Sequence, residues 1–377
     1  MSDIGLADPI ETVAAVTRGA SGTGVPTARA VPALTGPGRL LIVTDAWLPQ
    51  VNGVVRTLQT VTGELRAMGH EVEVIGPDRF RTLPCPTYPD IRLSLFAGGR
   101  LGRMIEAWAP DALHVATEGP LGQAARRWAL RRRWAFTTAF HTRFPEYVQA
   151  RTGLPTWPFY AWLRRFHGAG QGMMVATASL RAELAERGFS HVRHWSRGVD
   201  LAQFRPTAPG AAREDFGLER PIFATVGRVA VEKNISAFLD LDLPGSKLVV
   251  GGGPLLETLR RQHPEVHFTG PLHGSALARA YAGADVFVFP SLTDTFGLVI
   301  LESLACGTPV AAFPVTGPRD VLAESVGKVG ALDRDLRNAA MSAMDADRDA
   351  CRRHAERFSW RACAENFLAN LVPLTGA

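Results

Sequence analysis

The chain has 377 residues, 46% apolar and 20% charged, with a formal net charge of +5; that length exceeds one hydrophobic core and predicts two domains of ordinary water-soluble α/β composition. No apolar run approaches a bilayer span, and the first forty residues lack a basic start followed by an apolar core, so neither a membrane helix nor a secretory signal is expected. Four cysteines (Cys85, Cys306, Cys351, Cys363) form no C-x-x-C pair and read as reduced thiols, which suits the cytoplasm.

Residues 1–38, rich in Ala, Gly, Thr, Val and Pro without a period, read as a disordered extension. Residues 39–199 then carry 21 Arg against 12 acids, a net of +9, whereas residues 200–377 carry 18 Lys plus Arg against 21 acids, a net of −3. A basic first half suits an anionic membrane surface or nucleic acid.

Order is predicted from Arg39. Leu40–Thr44 reads as a buried strand, a helix follows from about Val54 to Gly69, and Glu71–Ile75 is the second strand, the βαβ start of a doubly wound sheet. Asn52-Gly53 sits at the turn into that helix, with Arg56 one turn on. A glycine there lets a backbone N–H approach a phosphate, although a plain helix-start loop explains the pair too. Cys85-Pro86-Thr87-Tyr88-Pro89 reads as a loop. Ala112–Ala116 is a strand ending in Thr117-Glu118-Gly119-Pro120, and Glu118 thus falls beyond a strand's carboxyl end, where open sheets bind ligands. The next helix carries Arg126, Arg127, Arg131, Arg132 and Arg133 with Trp128 and Trp134 interleaved. It suits either a lipid surface or a solvated face with its tryptophans packed inward.

Phe136–Phe140 is a strand that delivers His141-Thr142-Arg143 to the same topological place as Glu118. Thr156–Gly168 (TWPFYAWLRRFHG) is aromatic and basic, fitting either a lipid contact or a packed helix. Met173–Ala178 is a strand, Ser179 a helix cap, and Arg197-Gly198-Val199-Asp200 a closing turn before a proline-bearing linker.

The pattern then restarts. Pro221–Val226 is a strand followed by Gly227-Arg228 and Glu232-Lys233-Asn234, whose Arg228 and Lys233 pair a forked and a point-like cation suited to phosphate. Lys247–Val250 runs into Gly251-Gly252-Gly253, a loop that suits a nucleotide. Val286–Phe289 is a buried strand. After it come Thr293-Asp294-Thr295-Phe296-Gly297-Leu298 and a helix bearing Glu302, eight residues beyond Asp294. Gly297 at a helix N-terminus admits an anion, Asp294 accepts from sugar hydroxyls, and Glu302 accepts from two ribose hydroxyls. A helix cap and a solvated glutamate fit the same spacing. Asp240-x-Asp242 has no third ligand in sight, and no metal is assigned.

The segments PQVNGVVRT, HT, RGVD, GRVAVEKN and TDTFGLVILE, in that order, resemble the retaining glycosyltransferases of family 4, which have the GT-B fold; the likeness covers nearly everything after residue 38. It implies two Rossmann-like domains facing a cleft. The acceptor-side domain spans residues 39–199 with the C-terminal helix of 358–377, and the donor-binding domain spans 200–357. It implies transfer of a hexosyl unit from a UDP- or GDP-linked sugar with retained configuration and without a metal cofactor. Arg228 and Lys233 would take the diphosphate, and Asp294 and His141 would orient the sugar. Asn52, Gly53, Arg56, Glu118, Arg197, Gly253, Thr295, Phe296, Gly297, Leu298 and Glu302 would line the donor. The family's first acid is usually Glu, and here it is the shorter Asp294. DAWLPQVNGVVRT, HTRFPEY and DTFGLV most resemble its membrane-lipid members, so the expected acceptor is diacylglycerol or a related lipid at the cytoplasmic membrane face. A soluble or polysaccharide acceptor, a GT-B nucleotide-sugar epimerase, and a basic membrane- or nucleic-acid-binding protein are the alternatives.

Overall fold

The computed structural model describes residues 36, 38–50, 52–85, 88–207 and 216–374. The expected extension therefore lies almost wholly outside the described residues, as do Pro86, Thr87 and part of the linker. Contacts divide the chain into two units: one runs through Gly198 and takes back the chain from Phe358, and the other is Val199–Arg357.

The first unit is built on a six-stranded parallel sheet in the order β2–β1–β5–β6–β7–β8. Its strands are β1 (Arg39–Val43), β2 (Glu71–Ile75), β5 (Ala112–Val115), β6 (Thr137–Phe140), β7 (Gly172–Val175) and β8 (Val192–His194). β1 pairs with β2 on one side and β5 on the other, so the winding direction reverses between β1 and β5. β5, β6 and β7 are buried at every position, as a sheet covered on both faces requires. Helices α1 (Gly53–Ala67), α2 (Gly98–Trp108), α3 (Pro120–Arg131), α4 (Phe144–Thr152), α5 (Trp157–His167) and α6 (Ala178–Glu186) accompany it.

Two local expectations are corrected, and one that the sequence left open is decided. Of the expected Cys85–Pro89 loop, Cys85 instead ends β3 (Thr82–Cys85) and Tyr88 and Pro89 begin β4 (Tyr88–Ser94), and the two strands pair antiparallel. A two-stranded ribbon tolerates proline because each strand keeps one open edge. The cap of α6 is Thr177, whose hydroxyl accepts from the N–H of Leu180 at 3.2 Å, and not Ser179, which already lies in the helix. Trp128 on α3 is buried in the core and meets the half-buried Trp134 edge-on at 4.8 Å, so these rings do not face solvent. Exposed aromatics among the described residues include Phe144, Trp157 and Trp162, on α4 and α5, and Phe96, just before α2.

The C-terminal helix Trp360–Asn370 belongs to this unit. Phe367 packs 4.9 Å from the rings of both His114 and Trp195, and the indole N–H of Trp195 donates to the Cys363 carbonyl.

The second unit repeats the design with a parallel sheet ordered β11–β10–β9–β12–β13–β14. Its strands are β9 (Ile222–Val226), β10 (Ser246–Val250), β11 (His267–Gly270), β12 (Val286–Phe289), β13 (Val310–Ala312) and β14 (Gly330–Leu332). The winding reverses between β9 and β12. Loops at the carboxyl ends of that strand pair are where such a sheet binds its ligand.

Candidate active site

In the second unit three loops converge beyond β9, β10 and β12. The first two are joined backbone to backbone: Gly227 N–H donates to Val250 O, and Val229 N–H to Gly252 O. A Cβ at Gly253 would stand 2.4 Å from the Val229 carbonyl oxygen, so only glycine permits that approach. The β9 loop is also tied to the β12 loop. Asn234, in the left-handed region at φ +52°, donates to the Pro290 carbonyl at 3.1 Å, and the hydroxyls of Ser291 and Thr293 donate to the Glu232 carbonyl.

The tie positions two opposite charges. Lys233 Nζ lies 2.5 Å from Asp294 Oδ1, with about a quarter of the lysine side chain exposed. The other oxygen, Asp294 Oδ2, is buried and accepts no hydrogen bond among the described residues. A buried carboxylate oxygen left without a donor is costly unless something else completes it. Arg228 stands half-buried two residues beyond β9. Gly297, at φ +87°, is the N-cap of the following helix, α7 (Leu298–Ala305), with Thr295 and Leu298 half-buried and Phe296 buried beside it.

Glu302 departs from its expected position. It is 3% exposed, within α7, and accepts a hydrogen bond from the Tyr281 hydroxyl at 2.9 Å. The sequence spacing anticipates an accessible carboxylate; the structure turns this one into the core, where the tyrosine helps to satisfy it.

In the first unit the candidate residues also stand at strand ends. Asn52 is the cap of α1, its side-chain oxygen accepting from the N–H groups of Val54 and Val55 at 3.0 Å, and Gly53 is the first helical residue. Asn52 therefore does the structural work that the turn alone already explained. Arg56 lies one turn further on, half-buried. Glu118 follows β5, and its Oε1 lies 3.2 Å from His167 Nε2, while His167 Nδ1 meets the Thr138 hydroxyl at 2.9 Å. His141 follows β6, and Arg197 follows β8 at 5% exposure. Arg197 holds the carbonyls of Trp195 and Ser196 through one nitrogen and meets His141 Nδ1 at 3.4 Å through another.

Two residues carrying this geometry had no assigned role in the sequence. Asp45, just after β1, is 6% exposed and accepts from Leu121 N–H, Gly122 N–H and the Thr117 hydroxyl, closing the N-terminus of α3. Burial pushes its carboxyl up from the usual value, against those hydrogen bonds. The acid after the first strand is the only signal. His114, inside β5, is fully buried, and burial, then the charges of Arg197 and His167, push its imidazole down to about 3. A histidine within an apolar strand looks like a core residue, and it is one. Asp240 and Asp242 are exposed, and among the described residues no group of three His, Cys, Asp or Glu is placed to hold a metal ion.

Two doubly wound sheets, with cations and a carboxylate on glycine-lined loops at the switch point of the second, define an α/β protein with a ligand site at those strand ends. The Glycosyltransferase Family 4 profile matches residues 51–203, and that of Glycosyl transferases group 1 matches residues 220–345. The chain is 33% identical over 312 residues to a GDP-mannose-dependent alpha-mannosyltransferase of Mycolicibacterium smegmatis, covering 76% of this chain and 82% of that one. It is 28% identical over 370 residues to the alpha-monoglucosyldiacylglycerol synthase of Streptococcus pneumoniae, covering 87% and 83%. Among solved structures, sucrose-phosphate synthase from Thermosynechococcus elongatus superposes with a TM-score of 0.70 at 21% identity, over 87% of this chain and 97% of that one. The chain belongs to the family 4 glycosyltransferases of GT-B fold. It is a glycosyltransferase.

Proposed function

We propose that this enzyme transfers a hexosyl unit from a UDP- or GDP-sugar to a membrane lipid, diacylglycerol or a close relative, with retention and without a metal ion. The observation that carries the donor side is the paired Lys233 and Asp294 with the uncompleted Asp294 Oδ2 beside them. Arg228 and Lys233 take the diphosphate, the amides at Gly297 and Gly253 accommodate its approach, and Asp294 Oδ2 accepts from a sugar hydroxyl. In the first unit, His141 and the helix-start amide at Gly53 are the residues to which the family likeness gives a part in donor binding.

The bond from the anomeric carbon to the diphosphate oxygen breaks with its electron pair on the diphosphate. The acceptor hydroxyl attacks from the same face and passes its proton to that departing oxygen. Cationic donors aimed at the charge growing on the diphosphate supply the main stabilisation. No carboxylate nucleophile is required.

The lipid acceptor is supported by the relative named for a diacylglycerol product and by the +9 charge of residues 39–199. Among the described residues no helix is long and apolar enough to cross a membrane, so the lipid would be met from its surface. The test incubates the enzyme with a panel of radiolabelled nucleotide sugars and mixed lipid vesicles and extracts into organic solvent. Label in a glycolipid band supports the reading; label confined to free sugar or a soluble product rejects the lipid acceptor.

A further inference from the structure

The guanidinium of Arg197 lies in the core of the first unit, 5% exposed, and among the described residues no carboxylate pairs with it. Burial lowers its pKa to about 10, so it stays cationic at neutral pH. Its orientation is fixed from two sides. One nitrogen donates to Trp195 O at 2.6 Å and Ser196 O at 3.0 Å, and the plane lies 4.2 Å over the Trp195 ring. The other terminal nitrogen, Nη2, meets His141 Nδ1 at 3.4 Å, while the imidazole stands edge-on to the same tryptophan at 5.7 Å.

A guanidinium only donates, so the nitrogen facing it must offer a lone pair. A neutral imidazole carries one proton, which is then on Nε2. We propose that Arg197 is a positioning residue that locks His141 as a neutral imidazole with its proton on Nε2, so that His141 gives a hydrogen bond to a substrate oxygen and does not act as the base. That last role rests on the glycosyl-transfer reading; the lock does not.

The surroundings agree. The ionisable groups around His141 are Arg197 after β8, His114 on β5, His167 at the end of α5 and, beside Arg197, Cys363 on the C-terminal helix. Burial first, then Arg197, His114 and His167 push the His141 pKa well below the ordinary imidazole range. Glu118, the acid that follows β5, is engaged by His167.

The test is nitrogen-15 NMR of the full chain with labelled histidine side chains, His141 being assigned by its loss in His141→Gln. A protonated Nε2 and a bare Nδ1, unchanged between about pH 5 and 8, are expected. Arg197→Met should give mixed tautomers and a pH-dependent shift, and Arg197→Lys should restore the single form. A proton on Nδ1 in the unaltered chain overturns the proposal, and so does an unchanged His141 spectrum in Arg197→Met. If Arg197→Met does not fold, the unaltered chain decides. No donor or acceptor is present in these samples. Absent transfer beside an intact Nε2 proton would therefore count against the proposed activity alone.

Discussion

Lys233 Nζ and Asp294 Oδ1, 61 residues apart in sequence, meet at 2.5 Å on neighbouring strand-end loops. The cation expected to receive a diphosphate is thus already held by the acid expected to receive the sugar. This pairing spares either charge from standing alone in a half-buried site, and an arriving diphosphate adds a second anion to the same lysine.

Lys233→Ala should lower turnover by two orders of magnitude or more, since losing one charge-stabilising contact costs about 3–4 kcal/mol. Steady-state kinetics on the folded variant provide the check. Near-normal turnover would remove Lys233 from the diphosphate site.

Activity should survive exhaustive chelation. The measurement is transfer after treatment with a chelator, with and without added magnesium or manganese. Recovery only on metal addition would defeat the metal-independent reading and redirect attention to Asp240 and Asp242.

Tyr281→Phe removes the hydroxyl that donates to buried Glu302 Oε2. Leaving that oxygen short of a donor should cost about 1–3 kcal/mol of stability, with donor KM and turnover little changed. Thermal unfolding and kinetics together decide between a supporting role for this contact and a direct one. A large rise in donor KM without loss of stability would return Glu302 to the ribose.

Arg143 grips Glu183 through two hydrogen bonds of 2.8 and 2.6 Å. Burial raises the Glu183 carboxyl, but the Arg143 hydrogen bonds and charge outweigh it and hold the pKa below its usual 4.5. A depressed folded value means that the pair stabilises above the unfolded pKa and that this contribution is lost as pH falls through the lower folded one. Arg143→Met should therefore lower stability at neutral pH and flatten the acid side of the stability curve below about pH 5. Denaturant titrations at several pH values test the sign.

If the first unit docks on anionic lipid, Arg131, Arg132 and Arg133→Gln should weaken co-sedimentation with anionic vesicles. Each basic residue near such a surface contributes about 1 kcal/mol, fading within a Debye length of about 8 Å. Trp157→Ala should weaken binding further, because that ring is 71% exposed whereas Trp128 on the arginine helix is buried. Equal binding to neutral and anionic vesicles, insensitive to salt and to the triple change, would exclude this docking mode.

The longer parallel strands and the helix starts at Gly53, Pro120 and Leu298 were legible because their signals are local, whereas β8, β13 and β14, each only three residues long, carry too little pattern to read. Val286–Phe289 is apolar at every position, as a central parallel strand must be, and a glycine or an acid at its end is visible without the fold. What stayed hidden depends on partners distant in sequence. Asp45 looks like any loop acid until Leu121 and Gly122 fold back on it. Glu302 keeps helical spacing whether it faces solvent or Tyr281, and only packing chooses. Asn52-Gly53 was readable as a plain helix-start loop or as a ligand contact, and only the bonds from Val54 and Val55 show Asn52 to be the cap. The prolines around Cys85 masked a ribbon because proline weakens any strand signal, even on an edge that needs no donor.

The return of the helix Trp360–Asn370 to the first unit has a consequence for biosynthesis. The rings of His114 and Trp195 are closed over by Phe367, Arg193 donates to the Asn370 carbonyl, and the Asn370 side chain donates to the His194 carbonyl. The first unit, though its strands precede the second unit, therefore lacks a wall of its core until residues 360–370 have left the ribosome, whereas Val199–Arg357, among the described residues, takes no element from outside its own stretch. The order of synthesis and the order of completion are reversed, and a nascent chain stalled before residue 360 should present an open first unit to chaperones beside a closed second one.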